Sequence, residues 1–169
     1  MKKALSIFMV SVLMFCMVAC GGAEEKTDVA PYFKGVQWND TMDAVKKIEK
    51  GTLVETTVED GKDVLKYENA SVPFGEGAFD VEYIFENDML VSIHIVLPVK
   101  GEKTQTAGLY DWVDKYYYHH GDMDENTSLY VANSDNKSVV AVQNNEFEID
   151  GHLVGGTSVT IMYYSEGIE

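Results

Sequence analysis

Phe79-Asp80-Val81-Glu82-Tyr83-Ile84-Phe85-Glu86, then Asn87-Asp88, then Met89-Leu90-Val91-Ser92-Ile93-His94-Ile95-Val96-Leu97, is the stretch that decides the fold. Phe79, Val81, Tyr83 and Phe85 alternate with Asp80, Glu82, Ile84 and Glu86, a period of two that predicts a strand with one face on a core. Asn and Asp tolerate positive φ, so Asn87-Asp88 is a turn pair, and Val91, Ile93, Ile95 and Leu97 then supply the apolar face of a second strand. The same parity sends Ser92, His94 and Val96, together with Glu82 and Ile84, to the opposite face.

Working outward toward the N-terminus, residues 53–58 and 62–67 flank Asp60-Gly61, which predicts another hairpin. Before it, Asn39-Asp40-Thr41 offers N-cap side chains, and Met42, Val45 and Ile48 recur among lysines and Glu49, so residues 41–50 read as a short amphipathic helix. Gly51 is expected to close it in the left-handed conformation. Toward the C-terminus, Pro98 to Lys103 reads as a break. Thr104 or Thr106 can cap a helix whose Leu109, Trp112, Val113, Tyr116 and Tyr117 share one face and which Gly121 ends. Strands are expected near residues 129–132, 138–143, 146–149 and 158–164. A helix followed by a meander, twice over, predicts an α+β fold with two short helices on one face of an antiparallel sheet. Residues 31–169 form a single domain in this reading, divisible into similar halves at 31–98 and 103–169.

The N-terminus speaks to location. Lys2 and Lys3 precede 16 small and apolar residues, Ala4 to Ala19, in the order of a signal peptide. The run is short of the roughly 20 residues that a membrane-spanning helix needs. It ends in Met17-Val18-Ala19-Cys20-Gly21, which resembles a lipobox, so residues 1–19 are expected to be removed and Cys20 to be lipidated. Residues 20–30 are a polar tether without apolar periodicity. The expected location is the extracytoplasmic side of the cell membrane, held by lipid. The only other cysteine, Cys16, leaves with the signal, so the mature domain has no disulfide.

The chain has 28 acidic residues against 13 Lys and no Arg, a formal charge of −15. Removing Lys2 and Lys3 leaves 11 Lys against the same 28 acids, −17. Nucleic-acid phosphates need clustered cations, so that class of partner is excluded, and docking on anionic lipid headgroups is disfavoured. With 46% hydrophobic and 11% aromatic residues, the composition suits one packed core.

Phe33-Lys34-Gly35-Val36-Gln37-Trp38 followed by a capped helix resembles the opening of a group of small exported lipoproteins with an aromatic-x-Gly-x-x-Trp-Gly segment. The helix residues Leu109-Tyr110-Asp111-Trp112, the His120-Gly121-Asp122 exit and the closing Thr160-Ile161-Met162-Tyr163-Tyr164 are similar to that group's second half. Asn39 stands where the group commonly has Gly. The group is the β-lactamase-inhibitor-protein-like one that includes SmpA/OmlA-like outer-membrane assembly lipoproteins. The resemblance implies a helix-and-sheet fold and non-catalytic work by binding other proteins, with no shared catalytic or binding residue to carry over.

Candidate chemistry is sparse. His119 and His120 beside Asp122, Asp124 and Glu125 are a conceivable metal set, but adjacent residues on a helix point about 100° apart. Residues 122–128 carry oxygens at alternate positions, yet Thr127 stands where a calcium loop needs Gly, and Asn133 where it needs the bidentate Glu. The mature chain offers no thiol nucleophile and no Gly-x-Ser-x-Gly elbow. Glu146 and Glu148 follow from strand alternation, and Gly155-Gly156 lacks the Lys of a phosphate loop. No catalytic, metal or cofactor site is therefore assigned.

The remaining candidate is the sheet face turned away from the helices. Parity on the last strand sends Thr160, Met162 and Tyr164 there, so Tyr164, Met162, Ile84, His94 and Val96 compose a mixed apolar patch of the kind interfaces use. The expected function is a protein-binding or inhibitor-like module with an envelope or extracellular protein as partner. A small-ligand or metal-binding carrier is the alternative, followed by a hydrolase whose site the sequence does not reveal.

Overall fold

The computed structural model describes residues 35–100, 103–104, 106–134, 137–149, 152–164 and 166–167. The signal segment, Cys20 and the tether lie outside the described residues. Helix α1 spans Met42–Ile48, and Thr41 caps it by accepting the Ala44 N–H at 3.3 Å. The helix stops at Ile48 because Glu49 turns extended, and the Glu49 carboxylate accepts the N–H groups of Lys50 and Gly51 at 2.7 and 2.8 Å. Gly51 is thus not a left-handed cap as expected. It is required for close approach, since a Cβ there would meet the Glu68 carbonyl oxygen at 2.9 Å.

Strands β1 (Thr52–Glu59) and β2 (Lys62–Val72) form the first hairpin, and β3 (Gly75–Glu86) and β4 (Met89–Lys100) the second. Asp60 and Gly61 take φ of 50° and 79°, and Asn87 and Asp88 take 53° and 61°, the double positive φ that matches the twist of a two-residue hairpin. The expected alternation holds on β4 from Ser92 onward but not at Val91. Phe85 faces Leu90 while Ile84 faces Ser92, so Val91 is the extra residue of a bulge, and Leu90 takes the buried place. Pro98 does not break β4, whose ladder with the last strand reaches it. The chain reverses only afterwards, into the short β5 (Lys103–Thr104).

Helix α2 spans Ala107–Tyr116, with Thr106 at its N-cap and no side-chain cap bond. It ends earlier than the expected Gly121. Tyr117 is already extended, and β6 (Tyr117–Asp124) carries His119, His120 and Gly121 as strand residues. The run Tyr116 to His120 is aromatic, a composition that suits a pleated surface, and its backbone pairs with β7 (Thr127–Ala132). After β8 (Ser138–Asn144), a small separate hairpin of β9 (Phe147–Ile149) and β10 (His152–Val154) precedes β11 (Gly156–Tyr163).

The main sheet runs β1-β2-β3-β4-β11-β8-β7-β6, antiparallel throughout, with β5 added on β4. Each half supplies a helix followed by four strands of the main sheet, the second half adding the separate β9–β10 hairpin, and the two meet through their last strands, β4 and β11. Val45 of α1 and Leu109, Trp112 and Val113 of α2 share one buried cluster with Leu65, Tyr67, Val81, Tyr83, Ile93, Ile95, Val140, Val142, Val159 and Ile161. Both helices therefore cover the same sheet face, as the alternation predicts. Trp38 ties the start of the domain to the second half. Its Nε1 donates to Ser138 Oγ at 2.9 Å, and its ring stacks on Tyr163 with centroids 5.4 Å apart. The turn from Trp38 into α1 needs a left-handed residue, and Asn39 supplies it at φ 65°.

Candidate interaction face of the sheet

Residues directly opposite in an antiparallel ladder share a face, so the registers lay out the surface opposite the helices row by row. One row crosses all eight strands as Thr57, Val64, Ile84, Ser92, Met162, Val139, Val131 and Tyr118. The next, two residues along each strand and three on β6 across its bulge at His120, reads Glu55, Lys66, Glu82, His94, Thr160, Ala141, Leu129 and Gly121. A third, shorter row holds Asp80, Val96, Ser158, Gln143, Thr127 and Asp124.

The five sequence-predicted residues fall on this face. Ile84 and Met162 flank Ser92 in the first row, two strand spacings or about 10 Å apart. His94 sits in the second row with its Nδ1 3.0 Å from Thr160 Oγ1, and Val96 in the third. Ile84, His94 and Met162 are half-buried, while Val96 and Tyr164 keep 42% and 44% of their surface exposed. Tyr164 lies just past β11. Its N–H donates to the Lys137 carbonyl at 2.9 Å, and its hydroxyl reaches the Met162 sulfur at 3.9 Å, so the two side chains touch.

Val64, Val131 and Val139 belong to the same first row and were not anticipated. They are buried, at 2%, 0% and 1% exposure, yet lie outside the cluster beneath the helices. A signal for part of this existed. Val139-Val140-Ala141-Val142 is apolar at every position, which is how a strand buried on both faces reads. Val64, between Asp63 and Leu65, carries no such signal.

The second row is polar toward β1 and apolar toward β7. Lys66 Nζ lies 2.6, 3.5 and 3.6 Å from carboxylate oxygens of Glu59, Glu55 and Glu82. The hydrogen bond to Glu59, joined by the charge of all three glutamates, holds the ammonium well above the ordinary lysine range against the opposing effect of desolvation. One cation among three carboxylates leaves this corner with a surplus of negative charge.

The histidine and acid cluster has different geometry from a helix end. On β6, His119 Nε2 lies 3.0 Å from Asp122 Oδ1, and Ser128 Oγ donates to the same oxygen at 2.7 Å. The Ser128 hydrogen bond, followed by the His119 one, holds Asp122 below the usual carboxylate range. The carboxylate stands between serine and imidazole here. In nucleophilic activation the imidazole must stand between, so this trio lacks the order that would deprotonate Ser128. Among the described residues, no three His, Cys, Asp or Glu side chains are arranged to hold a metal ion. Nor is any helix among them long and apolar enough to cross a membrane.

Fold and site together define an antiparallel α+β domain with one helix-covered face and one face that carries a cross-strand apolar row. Compared with known proteins, the chain matches no family model, no curated protein and no solved structure.

Proposed function

We propose that this protein is a lipid-anchored, extracytoplasmic, non-catalytic binding module that meets a partner protein with the sheet face opposite its helices. The observation that carries the reading is the accessible apolar surface on this face, supplied by the half-buried Ile84 and Met162 and the exposed Val96, Tyr118 and Tyr164, while Val64, Val131 and Val139 of the same face are buried. Tyr164 beside Met162 adds a rigid aromatic contact with a polar tip, the kind of residue that dominates interface energetics. The charged start, the short apolar run and Cys20 support the anchored location. The helix-plus-four-strand order, used twice, and the left-handed Asn39 at a position the similar lipoproteins fill with Gly support relating the domain to the β-lactamase-inhibitor-protein-like group.

The test compares the full chain with Tyr164→Ala in capture of proteins from envelope extracts. A partner retained by the parent and lost by the variant, with the melting temperature nearly unchanged, is the expected result. Equal capture would remove the face from consideration, and ready unfolding would make Tyr164 a core residue. Cys20→Ser and globomycin should each abolish lipid processing and membrane association, and unchanged processing would overturn the location.

A further inference from the structure

The two edges of the main sheet are built differently. At one end, β6 carries two bulges, at His120 and Met123, and two outward aspartates, Asp122 and Asp124, features that bend an edge and discourage pairing. At the other end, β1 runs regularly from Glu55 to Glu59 after a single bulge at Val54, near its start. It contains no proline and no lysine, and every residue except Thr57 is exposed. Val54 and Val58 keep 50% and 65% of their surface exposed. Among the described residues no strand pairs with its outer side. Thr-Leu-Val-Glu-Thr-Thr-Val-Glu is rich in β-branched residues, so its backbone is well set to accept another strand.

The side chains say what kind of strand fits. Register puts Glu55, Thr57 and Glu59 on one face of β1, and Thr56 and Val58 on the other. Glu55 and Glu59 share a single lysine, Lys66, with Glu82, so their negative charge is only partly balanced. We infer that β1 takes up an extended segment of another protein, in which basic side chains on one face alternate with apolar side chains on the other. A basic residue opposite Thr57 would have Glu55 and Glu59 as its diagonal neighbours, within reach of a long side chain. An apolar residue on the other face would cover Val58. A second copy of this chain fits less well, because β1 against β1 gathers four glutamates on one face of one short ladder, in a protein already at −15.

The probe is a capped synthetic heptapeptide, Thr-Lys-Val-Lys-Val-Lys-Thr, with Glu in place of Lys in the control, added to the full chain in mild detergent. With the lysine peptide, amide hydrogen exchange across Thr52–Glu59 should slow about tenfold or more, and affinity should fall steeply with added salt. The glutamate peptide should protect nothing. Glu55→Gln combined with Glu59→Gln should weaken binding about threefold to tenfold with the melting temperature held. Thr57→Lys should abolish it, and serves as the independent variant. Equal protection by both peptides, protection at β6 or on the sheet face in place of β1, or protection that grows with protein concentration alone would each overturn the assignment.

Discussion

The two halves of the sheet have the same order, a helix and then four antiparallel strands, but they hold that order by different means. In the first half both hairpins are closed by two-residue turns with positive φ, and α1 has a side-chain cap. In the second half α2 has none, and the third strand reaches the fourth through residues 145–155 with the β9–β10 hairpin inside them, while register shifts occur in both halves, along β1, β2 and β4 in the first and twice on β6 in the second. The first half is specified locally, by turn and cap chemistry. The second leans on long-range contacts, with Trp112 packed between Phe74 and Tyr117 at centroid distances of 5.1 and 4.9 Å, and Trp38 stacked on Tyr163.

That contrast is most sharply tested at two glycines. A Cβ on Gly108 would lie 2.1 Å from the Phe74 carbonyl oxygen, where the first turn of α2 presses on the β2–β3 turn, whereas one on Gly121 would meet nothing within 4 Å. Gly108→Ala should destabilise the domain by about 3 kcal/mol in chemical denaturation, at the upper end of overpacking costs. Gly121→Ala should stay within about 0.5 kcal/mol, and equal effects would show that α2 docks loosely.

The next largest effect belongs to the first half. Tyr83 donates to the buried Glu49 carboxylate that also closes α1, and burial followed by the Glu49 charge pushes the Tyr83 hydroxyl far above the ordinary phenol range. Tyr83→Phe removes a hydrogen bond to a charged group and should cost about 2 kcal/mol by thermal or chemical melting. A neutral outcome would mean that water replaces the phenol. A smaller difference separates the helix caps. Thr41→Ala should cost about 1 kcal/mol, and Thr106→Ala about 0.3 kcal/mol or less, because only Thr41 accepts a backbone N–H.

The smallest effect is electrostatic and lies on the second half's edge. Asp122 titrates below the ordinary carboxylate range, so its contribution is present above the usual aspartate pKa and fades as pH falls through the lowered value. Its carboxyl titration followed by NMR should move up in Ser128→Ala, since the Ser128 hydroxyl is the largest cause of the depression. An unmoved midpoint would leave the His119 contact as the effective partner.

Residue pattern alone determined the two hairpins around Asp60-Gly61 and Asn87-Asp88, the α1 cap and the helix-covered face, because period-two burial and positive φ are properties of neighbouring residues, but not the continuation of β2 to Val72 or of β4 through Pro98 to Lys100. It also put Ile84, His94, Val96, Met162 and Tyr164 on the opposite face, since parity along a strand is local. Only the tertiary structure decided that α2 stops at Tyr116, that Leu90 replaces Val91 in the core, and that Gly51 is there for contact with the Glu68 backbone. It alone joined β4 to β11 and so assembled the apolar row from Val64 to Tyr118. Those outcomes depend on which strand lies beside which, and cross-strand pairing between residues distant along the chain leaves no period in the residues themselves.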